Sequence, residues 1–278
     1  MNGKTVVITG ATSGIGEVAA DRLAAKGARI VFVARDEKRG EETLKHLNAI
    51  APGQAHKAYY GDLSRLSEMK RVGAEIAAGE PAIDALINNA GAAFMARQVT
   101  EDGLEKTFAL NHMSYFVLTE LLRPRLGAGG RIVSTASTAH RGAHLDFDDL
   151  QSEKRYSGFS VYGRSKLCNI LFTRELARRL GGTGITANSL HPGFVSTRFG
   201  NANGGLFAIA LGLAKNFALS PEQGAATIIY LASSPDVENT TGLYFDKCKP
   251  VTPSREAQND TDAKRLWDIS AKIAGLGA

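Results

Sequence analysis

The chain has 278 residues, of which 44% are hydrophobic and 22% charged, an ordinary globular composition rather than a disordered one. A chain this long buries roughly three quarters of its unfolded surface, so its core needs neither disulfide nor metal. The net charge of +5 comes without a block of five like charges and gives no basis for a nucleic-acid partner, and the two cysteines, Cys168 and Cys248, fit no metal-ligand spacing.

The start, MNGKTVVITG, has no long apolar region after a charged residue and reads as a strand, not a signal peptide. Thr5–Thr9 is β-branched without interruption, as in a strand buried on both faces. The segment GIGEVAADRLAAKG then carries apolar residues at helical spacing and ends on Gly27, suited to a C-cap. Strand and helix go on alternating: strand Ala28–Ala34, polar helix Glu37–Asn48, strand His56–Tyr60, helix Ser64–Ala78, strand Ile83–Asn89. A long helix is predicted over Glu105–Leu122, stopped by Pro124. Strand Gly130–Ser137, helix Val161–Leu180 and strand Gly184–Leu190 follow, then a helix opening on Pro221 and a short last strand, Gly242–Phe245. Repeated strand–helix units with no linker between them predict one doubly wound parallel α/β sheet spanning 1–278 as a single domain. Two stretches break the rhythm, His140–Ser160 and Thr197–Ser220. Both follow strands, on the side where open α/β sheets bind ligands.

Between the first strand and helix lies TGATSGIG, with Gly10, Gly14 and Gly16 around Thr12, Ser13 and Ile15. Glycines there let a pyrophosphate approach the backbone, and the helix N-terminus offers free N–H groups. A tight turn without a ligand uses the same residues. The second strand ends in ARDEKR, where an NAD-selective site commonly carries an acid at the strand tip. Arg35 stands there instead, and a guanidinium pairs with a 2′-phosphate, so NADP is preferred and NAD stays open. A solvated surface arginine is the plainer reading of Arg35.

In FSVYGRSKLCN, Tyr162 and Lys166 are four residues apart and share one face of a helix. An ammonium beside a phenol favours phenolate, so the Tyr162 pKa is expected to fall from about 10 toward neutrality, fitting a general acid/base. Ser137, at the end of the fifth strand, is placed over the carboxyl edge of the sheet, although turns and caps also use serine. Asn111 sits in a helix interior, where asparagine is a mediocre residue. Tyr156 has no lysine a turn away. His140 and His144 are read as solvated surface groups without a role, and Cys168 and Asn169 as packing residues of the helix.

With these residues in hand, the chain resembles the short-chain dehydrogenase/reductase family over nearly its whole length. TGATSGIG, NNAG (Asn88–Gly91), Asn111, Ser137, YGRSK (Tyr162–Lys166) and HPGFVST (His191–Thr197) occur in the family's order. The run DFDDLQSEKRYSGFSVYGRSKLCNILFTRELARRL and the terminal AKRLWDISAKI resemble the retinol-dehydrogenase-like branch. The resemblance implies a Rossmann-type sheet of about seven strands, ordered 3-2-1-4-5-6-7, with helices on both faces. It implies hydride transfer between NADP(H) and the carbonyl or alcohol group of a moderately hydrophobic molecule. Tyr162 would move the proton, Ser137 hold the oxygen, Lys166 bind ribose and lower the Tyr162 pKa, and Asn111 bind a relay water. Asp62 and Leu63 would meet the adenine end, Asn89, Ala90 and Gly91 line the nucleotide, and Pro192, Gly193, Val195 and Thr197 hold the nicotinamide end.

Within Thr197–Ser220, Leu206, Phe207, Ile209, Leu211 and Leu213 suit a lid over an apolar substrate, or equally a helix packed on the body or a partner. The nine-residue run Leu206–Ala214 is the longest apolar stretch, too short for a bilayer span of about 20 residues. Branch members anchored in membranes carry an apolar leader, whereas this chain starts at strand one. A cytoplasmic protein is expected, as a homodimer or homotetramer by analogy. The alternatives are a catalytically silent NADP(H)-binding sensor and a C=C reductase of the protochlorophyllide-reductase type.

Overall fold

The computed structural model describes residues 1–193 and 219–277. Eight strands form one sheet: β1 (Thr5–Thr9), β2 (Arg29–Ala34), β3 (Lys57–Tyr60), β4 (Ile83–Asn88), β5 (Leu126–Thr135), β6 (Thr186–His191), β7 (Tyr244–Asp246) and β8 (Lys249–Pro250). Their order is β3-β2-β1-β4-β5-β6-β7-β8. Strands β1 to β7 pair in parallel, and β8 runs antiparallel to β7. Because β1 lies between β2 and β4, the chain reverses its winding there, and the carboxyl ends of β1, β4 and β5 open onto a crevice.

The helices divide between the two faces. On one face α1 (Gly14–Ala25), α2 (Glu37–Ile50) and α7 (Pro221–Ser233) bury Leu23, Leu47 and Ile228 against Ile8 and Phe32. On the other, α3 (Leu66–Gly79), α5 (Ser114–Leu122), α6 (Gly158–Arg179) and α8 (Asp260–Ala274) cover Val7, Leu86 and Ile132. The Trp267 ring stacks on Phe172 at 5.8 Å and meets Phe116 edge-on at 5.0 Å, which seats α8 on α5 and α6. The starts of α8 and α7 are capped by side chains. Asn259 accepts from the Thr261 and Asp262 N–H groups, and Ser220 with Gln223 forms a capping box ahead of Pro221. Among the described residues no helix is long and apolar enough to cross a membrane.

Most predicted elements agree with the fold to within three residues at each end, and the larger departures are in two elements and two additions. The predicted Glu105–Leu122 helix is three pieces: α4 (Lys106–Phe108), a π-helical turn (Ala109–Met113) and α5. A π turn inserts a residue into the helical repeat, and it occurs here at Asn111. β5 starts earlier, at Leu126, and stops at Thr135, so Ser137 opens the 3₁₀ turn Thr138–His140 instead of ending a strand. Strand β8 was not expected: Lys247 and Cys248 both take positive φ, 48° and 61°, in the two-residue connection from β7. That conformation normally calls for Asn-Gly, so Lys-Cys gives no hairpin signal. Thr227 anchors the turn by accepting the Cys248 N–H. Helix α8 was also missed.

Candidate active site

The floor of the crevice is the turn from β1 into α1. Gly10 has φ +73°, which only glycine adopts without strain. A Cβ on Gly16 would overlap the Gly10 carbonyl oxygen and the Asn89 amide, so α1 starts as close to the strand as backbone permits. Ser13 is the N-cap residue but its side chain makes no capping bond, and Thr12, Ser13, Gly14 and Ile15 are all partly exposed along the turn. A tight backbone turn leading into a helix N-terminus, with no Cβ in the way, fits a dinucleotide pyrophosphate.

Asn89 ties the floor together. Its amide donates to the Thr9 and Gly10 carbonyls at 3.1 and 3.4 Å, and its oxygen accepts from the Thr135 hydroxyl at 3.4 Å. The Thr9 hydroxyl in turn accepts the Asn89 and Ala90 N–H groups, each at 3.0 Å. The ends of β1, β4 and β5 are thereby locked to one another. After β3, Asp62 accepts from the Ser64 N–H and hydroxyl at 3.0 and 2.8 Å, holding the Asp62–Leu63 corner beside the crevice.

At the tip of β2, Arg35 is exposed, and Asp36 is used elsewhere: its carboxylate accepts the Arg39 N–H at 2.8 Å and caps α2. Arg39 itself donates to the Thr12 carbonyl at 2.6 Å. The Arg39 guanidinium therefore stands beside the glycine turn, Arg35 is exposed at the neighbouring strand tip, and the nearby acid caps α2.

The second half of the site is built on the π turn and α6. Asn111, fully buried, exchanges a reciprocal pair of hydrogen bonds with the Ala92 backbone, both 2.9 Å, and donates to the Ser165 hydroxyl at 2.9 Å. Ser165 donates to the Tyr162 carbonyl at 2.7 Å. A Cβ on Gly91 would meet Asn111 Oδ1 at 3.1 Å and Lys166 Nζ at 3.4 Å, so the nucleotide-side loop touches both. Lys166 is buried and donates to the Thr135 carbonyl at 3.0 Å; its Nζ lies 5.6 Å from the Tyr162 ring centroid. The Ser137 hydroxyl hydrogen-bonds Tyr162.

The expected fall of the Tyr162 pKa is not what this geometry gives. Burial pushes the phenol up to about 12, with only the Ser137 hydrogen bond acting to lower it. Burial also pulls Lys166 down to about 7, so the ammonium that was to depress the phenol is itself disfavoured. Sequence spacing brought the two groups together but says nothing of the desolvation they share.

Of the remaining sequence-predicted residues, Pro192 and Gly193 follow β6 at the same sheet edge. Val195, Thr197 and the 197–220 segment, apart from Leu219 and Ser220, lie outside the described residues. Tyr156 lies away from Lys166: its hydroxyl donates to the Phe94 carbonyl at 2.7 Å and reaches the buried Glu105 carboxylate at 3.3 Å.

A sequence model of the short chain dehydrogenase family matches residues 4–204. Retinol dehydrogenase 14 of Mus musculus is 42% identical over 99% of this chain and 87% of its own length. The chain belongs to the short-chain dehydrogenase family. It is an NAD(P)-dependent oxidoreductase of the retinol-dehydrogenase-like branch. The crystal structure of a putative uncharacterized protein from Mycobacterium paratuberculosis is 33% identical with a TM-score of 0.81, covering 99% of this chain and 94% of that one. That of a short chain dehydrogenase from Burkholderia cenocepacia in complex with NADP is 27% identical with a TM-score of 0.71, covering 93% and 99%.

Within this dehydrogenase, sequence reasoning passed over several residues at the site. Arg39, on the first turn of α2, reaches the Thr12 carbonyl of the glycine turn 27 residues earlier, a contact that local spacing does not signal. Asn169, set aside as packing, donates to the Thr135 carbonyl at 3.2 Å. His140, read as a solvated surface group, is fully buried.

Proposed function

We propose that the enzyme reduces an aldehyde or ketone of a moderately hydrophobic molecule with NADPH, or runs the reverse oxidation. The observation that carries this reading is the meeting of the Tyr162 and Ser137 hydroxyls beside Lys166, at the crevice floored by the glycine turn. Gly10–Gly16 would hold the pyrophosphate, Asp62 and Leu63 the adenine end, Asn89–Gly91 the middle, and Pro192, Gly193, Val195 and Thr197 the nicotinamide end. When bound, the nicotinamide supplies or accepts the hydride.

Ser137 donates a hydrogen bond to the substrate oxygen and Tyr162 gives it a proton during reduction. A phenol raised to about 12 is protonated at neutral pH, the state in which Tyr162 gives the proton. Lys166, held on Thr135, would contact the ribose. Asn111 spends its side chain on Ala92 and Ser165, so we assign it the task of holding the Gly91 loop against Lys166, with any relay water bound elsewhere on the residue.

The NADP preference rests on Arg35 at the tip of β2 and Arg39 on the glycine turn, with Asp36 committed to capping. A relative named for retinol, an apolar alcohol, supports a hydrophobic substrate. We further read 1–278 as one domain, residues 197–220 as the substrate lid, and the protein as a cytoplasmic homo-oligomer.

The test is a panel of aldehydes, ketones, the matching alcohols, retinal and retinol included, and activated C=C substrates, each with NADPH or NADH. Consumption of NADPH with a carbonyl, faster than with NADH, is expected. Tight NADPH binding without turnover of any substrate would favour a sensor instead.

A further inference from the structure

The turn that carries Ser137 is held from behind by a histidine. The Ser137 carbonyl accepts from His140 Nδ1 at 2.6 Å, and His140 Nε2 accepts the Ser254 backbone N–H at 3.1 Å. A backbone N–H only donates, so Nε2 is the bare nitrogen and the proton sits on Nδ1. The ring is fully buried and meets the Tyr244 ring edge-on at 5.1 Å. Arg141, next along the turn, donates to the Thr252 carbonyl at 3.1 Å. Residues 252–254, which follow β8, are thus bonded at two points to the turn bearing Ser137. On its other side the turn is fixed by His191 Nδ1, which accepts the Thr138 N–H at 3.3 Å, and by Gly163 of α6, close against the Ala139 carbonyl.

Within the turn the Ser137 hydroxyl oxygen accepts the Ala139 N–H at 3.2 Å and the Ser137 carbonyl accepts the His140 N–H at 3.1 Å, so the hydroxyl points wherever the turn as a whole is placed, and a three-residue 3₁₀ turn takes its placement from the bonds that hold it from outside. The turn must keep the Ser137 hydroxyl beside Tyr162, where its one proton passes to the substrate oxygen when a substrate is bound. We propose that His140 is a positioning residue: its Nδ1–H on the Ser137 carbonyl and its Nε2 on the Ser254 N–H fix the Ser137 hydroxyl over Tyr162 and couple the 252–254 segment to the rate of the chemical step. The inference rests on the functional reading above. The neutral ring alone does this, because a second proton on Nε2 would face the Ser254 N–H, donor against donor. Burial keeps the imidazole below its ordinary pKa. The charged and titratable groups around it are Arg141 on its own turn, Glu256 beyond Ser254, His191 on β6 and Tyr244 on β7.

Two variants separate positioning from packing. His140→Asn keeps an N–H donor near the Nδ1 position but loses the ring. His140→Phe keeps the ring against Tyr244 and loses both hydrogen bonds. Positioning predicts a kcat order of wild type, Asn, Phe, with Phe down about 10- to 100-fold, while KM and the NADPH Kd change less than about twofold. Packing alone predicts the melting-temperature order wild type, Phe, Asn, with kcat following it. A kcat that tracks Tm, or an unchanged kcat in His140→Phe, would overturn the proposal. Long-range ¹H–¹⁵N NMR of the wild type supplies a readout independent of turnover. A neutral His140 protonated on Nδ1 is expected, and a proton on Nε2 would overturn the proposal by itself. A wild type that turns over nothing while showing the Nδ1–H tautomer marks failure of the functional reading. An active wild type with the wrong tautomer marks failure of this inference alone.

Discussion

Lys166 and Asn169 donate to the same acceptor, the carbonyl of Thr135 at the end of β5, at 3.0 and 3.2 Å. They lie three apart on α6 and so share a face of the helix. One backbone oxygen, with two lone pairs, is thereby saturated by two buried donors, and the amine is aimed at the crevice.

Replacing Asn169 with Leu removes one buried hydrogen bond and leaves Lys166 in place. The expected result is a stability loss of about 1–2 kcal/mol in urea unfolding, with kcat/KM within about fivefold of wild type. Lys166→Met is expected to cost at least about 100-fold in kcat/KM. Equal kinetic losses in the two variants would mean that the shared carbonyl, not the amine, matters.

The directions of the two reactions should separate with pH. Reduction needs the Tyr162 phenol, which persists up to about pH 12, whereas oxidation needs phenolate. The kcat/KM for alcohol oxidation should rise about tenfold per pH unit between roughly pH 7 and 10, while that for carbonyl reduction stays nearly flat over the same interval. An oxidation profile that levels off by pH 8 would show a phenol ionising near neutrality.

Tyr156 offers a contrast within the same sequence neighbourhood. Its hydroxyl joins the Phe94 carbonyl to Glu105, whose carboxylate also accepts the Thr107 and Phe108 N–H groups at the start of α4. Tyr156→Phe should lower stability by about 1 kcal/mol and change kcat less than about threefold. A loss of turnover as deep as that of a Tyr162 variant would contradict the assignment of proton transfer to Tyr162 alone.

Acid sensitivity should come from buried neutral histidines. Burial lowers the His112 pKa from 6.5 to about 3, so the unfolded chain takes a proton there that the folded chain refuses. Protonation then favours unfolding: this contribution is intact above pH 6.5 and is lost as pH falls toward 3, at about 1.4 kcal/mol per pH unit. His56, His140 and His191 shift the same way and add to the slope. Denaturant unfolding between pH 7.5 and 5 should show the decline. In His112→Phe, which keeps a ring between Phe108 and Phe172, the slope should flatten by about one proton. An unchanged slope would remove His112 from the account.

The parallel part of the sheet was legible because β-branched runs such as Thr5–Thr9 and the glycine turn after them obey local rules. The Tyr162–Lys166 pair was legible for the same reason, since helical spacing sets which side chains share a face. Four things were not. The π turn at Asn111 sits where the side chain exchanges two bonds with the Ala92 backbone, 19 residues away in sequence. The Lys247–Cys248 hairpin uses positive φ without glycine, stabilised by Thr227 on another element. The burial of His140 depends on Ser254, more than 100 residues downstream, and the rise of the Tyr162 pKa on how much water the folded site excludes. Each depends on tertiary contacts that no local pattern encodes.

The central claim is that Tyr162 moves the proton. Tyr162→Phe removes one hydroxyl and nothing else from the crevice, so NADPH binding should stay within about twofold of wild type by fluorescence titration. Turnover of the best carbonyl substrate should fall by about 100-fold or more. Retention of turnover within tenfold, with binding intact, would contradict the account.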